Sequence, residues 1–366
     1  MQDDLIYEAE SVVFAIGNTL ASQLKSNLNK KKYDMVARKA AMGFAIGGQK
    51  WIDNDLTEAY ISGLKRVPKG GSKPIKNGTF LVHKKPDKIP LLPRIIVDKF
   101  KDYPNQTKFY EVFRAAAMES LKKPTLQILR AADDVFRQAS IEVGSVSFRE
   151  SDIVTRRLIS QRLMNNYADR GLQCITYKNG AKYSLDTYSE MLARTLIQRC
   201  SLQASINRYC EKGWNLGVVS AHFRACNLCT PYEGVVLSLD GMSDAHASIW
   251  DAEMQGLFHS NCKHDVSPYF EGLTERIIAP LDPGEAALVN KYGYEEAQKI
   301  AYKAMQQQRY IERQIRKYKR ESMFSLDEVS QRKADKKVKD WQARQREHLS
   351  NNIYLPRKYA REGVNL

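Results

Sequence analysis

Apolar residues recur every three to four positions at Leu5, Ala9, Val12, Ile16, Leu20 and Leu24, which places them on one face of a helix. Asp3 and Asp4 stand at its start, where the helix dipole favours negative charge. A second periodic stretch covers residues 34–64, although Gly43, Gly47 and Gly48 argue against one unbroken helix. The pattern then lapses. Val67-Pro68-Lys69-Gly70-Gly71-Ser72-Lys73-Pro74 and the Pro- and Lys-rich residues up to Pro104 read as an extended loop or arm rather than packed core. Helical spacing returns from Lys108. Pro124 suits the first turn of a helix carrying Leu126, Leu129 and Phe136, since proline is tolerated there. A further helix holds Leu158, Ile159, Leu163 and Tyr167 and ends near Gly171.

At Cys174 the period changes. Residues 174–183 read as two short strands joined by Asn179-Gly180, a pair that supplies the positive φ angles of a two-residue hairpin turn. A helix follows over 185–210, then two apolar runs, 216–220 and 235–239, that look like strands. Ile300, Ala304, Ile311, Ile315 and Tyr318 mark a late amphipathic helix. Ser325 with Glu328 fits a capping box for the next one, whose inner face carries Ala334, Val338, Trp341 and Gln345. The expected fold is therefore mainly α, with a small α+β module (a β-hairpin and short strands carrying a Cys/His cluster) in the middle-to-C-terminal part. Its expected divisions are a helical region (1–66), the Pro/Gly/Lys-rich arm (67–107), a second helical region (108–172), the α+β core with the cluster (173–280) and basic C-terminal helices (281–366).

Composition narrows the function classes. The 366 residues are 43% hydrophobic with a mean hydropathy of −0.50, and no apolar run approaches the ~18–20 residues that span a bilayer. No membrane partner is expected. The acidic start lacks a signal peptide's basic region, which points to a chain made and kept in a cytosol. The net charge of +15 favours polyanionic partners such as nucleic acid, although a solvated basic surface would look the same. Residues 281–366 hold 19 Lys/Arg against 12 Asp/Glu, nearly half of that surplus. Arg309, Arg313, Arg316, Lys317, Lys319 and Arg320 crowd one helix there and are the expected contacts to double-stranded DNA, without sequence preference.

Six cysteines in a long cytosolic chain read as core residues or metal ligands rather than a disulfide framework. Only Cys226, Cys229 and Cys262 have Cys or His companions nearby: His222-Phe223-Arg224-Ala225-Cys226-Asn227-Leu228-Cys229, then His259-Ser260-Asn261-Cys262-Lys263-His264. A Cys-x-x-Cys turn brings two sulfurs to one side, and Cys262 and His264, two apart, point the same way on an extended stretch. Together Cys226, Cys229, Cys262 and His264 offer a tetrahedral Cys3His site for structural Zn2+, with His259 or His222 as substitutes. Without an ion, the same residues would brace the module as buried thiols and hydrogen-bonded imidazoles. Catalysis has less support. The His-x-Glu and Pro-Cys-x-x-Cys of zinc deaminases are absent, and Asp240, Asp244, Asp251 and Asp265 have no spacing that identifies a nuclease ion site. The chain is expected not to be an enzyme; the alternative is a zinc-dependent nuclease or other nucleic-acid enzyme acting during DNA packaging or entry.

An ordered series of motifs carries a resemblance. It runs from Tyr177-Lys178-Asn179-Gly180-Ala181-Lys182-Tyr183 through Val219-Ser220-Ala221-His222 and Cys229-Thr230-Pro231-Tyr232-Glu233-Gly234. Gly256-Leu257-Phe258-His259-Ser260-Asn261-Cys262-Lys263-His264 and Pro268-Tyr269-Phe270-Glu271-Gly272 complete it. The series resembles the phage minor capsid protein 2 family and, more distantly, the Mu-type head-morphogenesis proteins. It is strongest over 150–280. In that family Tyr232 and the Cys226–Cys229 pair stand where other residues also occur; a His at Cys229 would keep a metal ligand, whereas variation at Cys226 weakens its claim to be one. The resemblance implies a structural virion protein in few copies, in the capsid interior or at the portal vertex and in the host cytoplasm during assembly. Its implied partners are the portal protein, the major capsid protein and packaged DNA. A scaffold that leaves before maturation is the alternative assembly role.

Overall fold

The computed structural model describes residues 3–68, 89–144, 150–275 and 277–364. The chain begins with α1 (Asp3–Lys25), α2 (Lys30–Trp51), a π-turn (Ile52–Leu56) and α3 (Thr57–Lys65). After α4 (Arg94–Val97), α5 (Thr107–Gly144) and α6 (Glu150–Arg170) come β1 (Gln173–Thr176) and β2 (Lys182–Ser184). Then follow α7 (Leu185–Glu211), β3 (Leu216–Val219), β4 (Val236–Ser238), α8 (Ile249–Met254) and β5 (Val266–Pro268). Helices α9 (Pro283–Tyr292), α10 (Tyr294–Met323) and α11 (Glu328–Asn351) complete the order. The fold is mostly helical, with two small antiparallel sheets in the middle region near the Cys/His group. It forms two compact units, one from Gln49–Ser120 and Met191–Tyr302, the other from Asp3–Gly48, Leu121–Glu190 and Lys303–Leu366.

In the second of these units, which is helical apart from the β1–β2 hairpin, the six apolar positions expected on α1 are all buried. Gly17 lets two rings close on that helix: a Cβ there would lie 2.7 Å from both Tyr167 and Phe324, whose centroids are 5.6 Å apart. The Tyr167 hydroxyl donates to the Val13 carbonyl at 2.8 Å. Contrary to expectation, α2 runs without a break through Gly43, Gly47 and Gly48. Two of these glycines serve close approach, because a Cβ on Gly47 would run into Glu8 and one on Gly48 would meet Leu121 at 3.0 Å. The irregularity comes later. At the π-turn the neighbours Trp51 and Ile52 are both buried, so the apolar face slips by one residue, the effect of an inserted residue in a helix.

Pro124 also departs from expectation. It lies inside the 38-residue α5 rather than at a helix start. Tyr110, Phe113, Ala117 and Leu121 are buried upstream of it, at helical spacing, so the helix has its own apolar face there. The proline costs the bond its missing N–H would make to the Ser120 carbonyl. Leu126 and Leu129 are exposed, and Ile128, Ala132 and Phe136 face inward instead. The hairpin forms where expected, but with a longer turn. Gly180 N–H donates to the Tyr177 carbonyl and Tyr177 N–H to that of Ala181, each at 2.9 Å. Only Gly180 of the Asn-Gly pair has positive φ, at 80°, which is a three-residue loop closed by a left-handed residue. The expected Ser325 cap is replaced by Asp327, whose side chain accepts from Ser330 N–H, while the Ser325 hydroxyl donates to the Glu321 carbonyl.

The other unit carries the three-stranded sheet. Residues 69–88 of the expected arm lie outside the described residues. The rest of it is not free of core: Ile96, Phe100 and Tyr103, spaced for one helical face, are buried. The Phe100 and Tyr110 rings are 5.2 Å apart, as are those of Tyr60 and Tyr110. In the sheet β3 is central, with β4 and β5 antiparallel on either side, Val218 opposite Val236 and Val219 opposite Val266. Leu202, Ile206, Val219, Leu237, Leu257 and Val266 close a core between sheet and α7. Strand β5 has only three residues and ends in proline, too short to show an alternation in sequence.

Candidate metal centre

The sheet register assembles the cluster. The chain leaves β3 directly into the His222–Cys229 loop, and β5 begins just after His264. Pairing of Val219 with Val266, extended by a 2.9 Å bond from Ser220 N–H to the Asp265 carbonyl, therefore draws two segments 33 residues apart to one sheet edge. Cys226 Sγ lies 3.0 Å from His259 Nε2, Cys229 Sγ 3.6 Å from Cys262 Sγ, and Cys262 Sγ 3.4 Å from His264 Nδ1. Two donor groups result, Cys226–Cys229–His259 and Cys229–Cys262–His264, with ligand atoms in each all within 4.8 Å of one another. Cys229 belongs to both and is buried. The expected donors Cys226, Cys229, Cys262 and His264 thus gather in one place, and His259 joins them.

His222 does not. Its Nε2 sits 3.2 Å from Ser220 Oγ and 3.1 Å from the Lys263 carbonyl, and its ring packs edge-on against that of His264 at 4.7 Å. It braces the two loops from outside both donor groups.

Helix α7 supports the second loop. Thr195 Oγ1 accepts from Asn261 N–H at 3.2 Å, Gln198 Nε2 donates to the His264 carbonyl at 3.2 Å, and Arg199 donates to the Phe258 carbonyl through Nε (3.2 Å) and Nη2 (2.7 Å). Arg199 Nη1 also pairs with Glu253 at 3.0 Å. These bonds hold a strained segment: Phe258 and Asn261 have φ of 57° and 65°, which costs a bulky residue such as phenylalanine about 1–2 kcal/mol. Sequence reasoning missed Thr195, Gln198 and Arg199. Their signal was an arginine with polar neighbours at i−1 and i−4 on a helix face that otherwise reads apolar.

Glu233 was missed as well. Its Oε1 lies 3.1 Å from His264 Nε2 and also accepts from the backbone N–H of His222, so one carboxylate joins both loops. Burial opposes charge on His264, but hydrogen bonds to Cys262 and Glu233 outweigh it and raise the imidazole to about 9. His222 is pushed down by burial and by the like charge of His264. Of the sulfur pair, Cys229 and then His264 hold the Cys262 thiol below its ordinary value, while the bond to Cys262 and burial push Cys229 up. Three thiols and two imidazoles at this spacing suit a thiophilic divalent ion such as zinc.

The basic residues of α10 are spread differently from a free stripe. Arg309 Nη1 lies 4.0 Å from Glu312, Arg316 pairs with Glu190 at 3.6 Å, and Lys317 with Asp169 at 3.0 Å. Lys319 Nζ donates to the Glu362 carbonyl at 2.7 Å, and Arg320 bonds both Asp186 and the Ala168 carbonyl at 2.8 Å. Arg313 is the exposed member of the six. On α11, by contrast, Arg332, Lys333, Lys336, Lys337 and Lys339 are exposed.

Residues 87–350 match the family described as Phage minor capsid protein 2. A structural protein of Lactococcus phage LL-H is 26% identical over 201 residues, which are 51% of this chain and 50% of that protein. A structural protein of Lactococcus phage mv4 is 29% identical over 114 residues, 30% of this chain and 81% of that protein. The chain thus spans about half the length of the first of these relatives. No solved structure matches.

Proposed function

The chain belongs to the phage minor capsid protein 2 family, and we propose from this premise that it acts in head assembly beside the portal, at low copy number, touching packaged DNA without sequence preference. As a member it is a phage structural virion protein, and its family implies capsid partners. No helix among the described residues is long and apolar enough to cross a membrane. The observation that carries the reading is the family match over 87–350. The basic C-terminal helices support the DNA contact, since a packaged genome is a dense polyanion. Within that assignment the cluster acts as a structural zinc site, its ion held by the three thiolates Cys226, Cys229 and Cys262 and one imidazole. A closed thiolate-rich set of this kind fits structural rather than catalytic zinc, which keeps a ligand position open. No catalytic step is assigned to the chain.

Mass spectrometry of purified particles and of empty proheads tests the assembly role. The chain is expected in both, far below the major capsid protein in amount. Presence in proheads alone would make it a scaffold that leaves, and absence from both would remove the proposal.

A further inference from the structure

Helix α2 carries apolar side chains on two opposite faces. Tyr33, Ala37, Ala41 and Phe44 are buried, and the Tyr33 ring meets that of Phe136 on α5 at 5.0 Å. On the other side, at the helical repeat of 3.6 residues, Met35, Lys39, Met42 and Ile46 fall in one line. Met35 is 63% exposed, Met42 65% and Ile46 50%, so three large apolar side chains face water along about 16 Å of helix. The outward face of a packed helix is ordinarily polar. Single apolar residues scattered over a surface need no partner, whereas apolar residues gathered on one face mark a contact.

Cations border the line. Lys31 and Arg38 lie on one side of it and Lys32 on the other, and all three are exposed, as is Lys39 within it. Lys30 is spent on Asp34 and Asp133, but among the described residues no ion pair engages Lys31, Lys32, Arg38 or Lys39. Asp34 is the one acid of α2, and it lies off the line. We propose that this face docks an acidic amphipathic helix of a partner protein. A seam one side chain wide, with anchors at i, i+7 and i+11 and charges along both borders, is the geometry of helix-to-helix recognition, in which the bordering charges select the partner. A second copy of this chain fits poorly, because the face apposed to itself sets like charges together. Duplex DNA would answer the cations but leave Met35, Met42 and Ile46 against phosphate and sugar. A lipid surface takes a broad apolar face, and here Lys39 interrupts a narrow one. The family implies capsid partners, and on that reading the helix belongs to another virion protein.

Carbodiimide cross-linking tests this directly, since it joins a lysine amine to a touching carboxylate with loss of water. In purified particles, peptide mass spectrometry should find Lys31, Lys32 or Lys39 joined to Asp or Glu in an acidic segment of another virion protein. A join to a second copy of this chain, or none from α2 in particles that contain the chain, would overturn the proposal. Absence of the chain from particles would instead remove the assembly role, and a peptide titration of the full-length chain then decides. The probe is a designed helical peptide with leucine at heptad positions a and d and glutamate at e and g. It should bind, and its counterpart with lysine at e and g should bind at least about tenfold more weakly. Met42→Glu should weaken the acidic peptide by about tenfold or more, the scale of one buried methionine, and leave thermal melting unchanged because the side chain is exposed. Should that variant unfold, Lys39→Glu gives the same reading, with the lysine peptide gaining what the acidic one loses. Equal binding of the two peptides, or indifference to both substitutions, would overturn the docking. Duplex DNA affinity that falls with Lys32→Gln plus Lys39→Gln would reassign the face to nucleic acid. Binding to phosphatidylglycerol vesicles that Met42→Glu abolishes would reassign it to lipid.

Discussion

Arg199 shows how one side chain supports a site it never enters. It spends one edge of its guanidinium on the Phe258 carbonyl and another nitrogen on Glu253, and both members of the ion pair are largely buried, with side chains 8% and 11% exposed. Removing one partner of a buried pair leaves the other charge uncompensated, at a cost of about 3–5 kcal/mol. Arg199→Met should therefore lower unfolding stability by about 3 kcal/mol in urea titration. Arg199→Lys should recover only part of it, because an ammonium cannot offer the planar fork. A change below about 1 kcal/mol for Arg199→Met would show that Phe258 holds its left-handed conformation unaided. Cys226 with Cys229, and Cys262 with His264, were legible as pairs because close spacing in sequence limits how far the members of each can separate; the meeting of the two pairs depends on the pairing of β3 with β5. Glu233 and Arg199 were not, since a carboxylate or guanidinium reads the same in sequence whether it faces water or a buried imidazole.

For the helices, the same residue type has opposite effects according to what lies above it. Gly17 on α1 has the Tyr167 and Phe324 rings where a methyl group would go, whereas an added Cβ on Gly43 of α2 meets nothing within 4 Å. Gly43→Ala should stabilise by about 0.5–1 kcal/mol through helix propensity. Gly17→Ala should destabilise by about 1–3 kcal/mol, since overpacking rigid rings outweighs that gain. Thermal melts of the two variants check the contrast, and equal shifts of the same sign would discard it. Helix α1 was legible because its period and its single packed face agree. The interior Pro124 was misread because the local preference for starting or ending a helix there is worth about 3 kcal/mol, and burial of the apolar faces on either side of it exceeds that. The turn after β1 is longer than expected because only Gly180 of the Asn-Gly pair takes a positive φ.

At the scale of the whole molecule, net charge says less about nucleic acid than its distribution does. Five of the six basic residues expected on α10 bond acceptors of their own unit, while the lysines of α11 stand exposed. The proposed DNA contact should therefore run through α11 and Arg313. Affinity for duplex DNA should fall steeply with salt, with a log–log slope that decreases by about 0.9 for each phosphate the protein no longer neutralises. Lys333→Gln combined with Lys337→Gln should flatten that slope by nearly two units. Arg320→Gln should instead reduce stability, by breaking its bonds to Asp186 and Ala168. A slope that is flat in wild type would remove the DNA contact.

The sequence by itself determined the mainly helical class, the hairpin and the strands β3 and β4, and the family, because periodicity and an ordered run of motifs are properties of the chain in one dimension. Tertiary structure decided which histidine faces Cys226 and which faces Cys262, and which cations are spent internally. Those outcomes depend on a sheet register and on carboxylates that approach from distant parts of the chain, and nothing in local spacing encodes either.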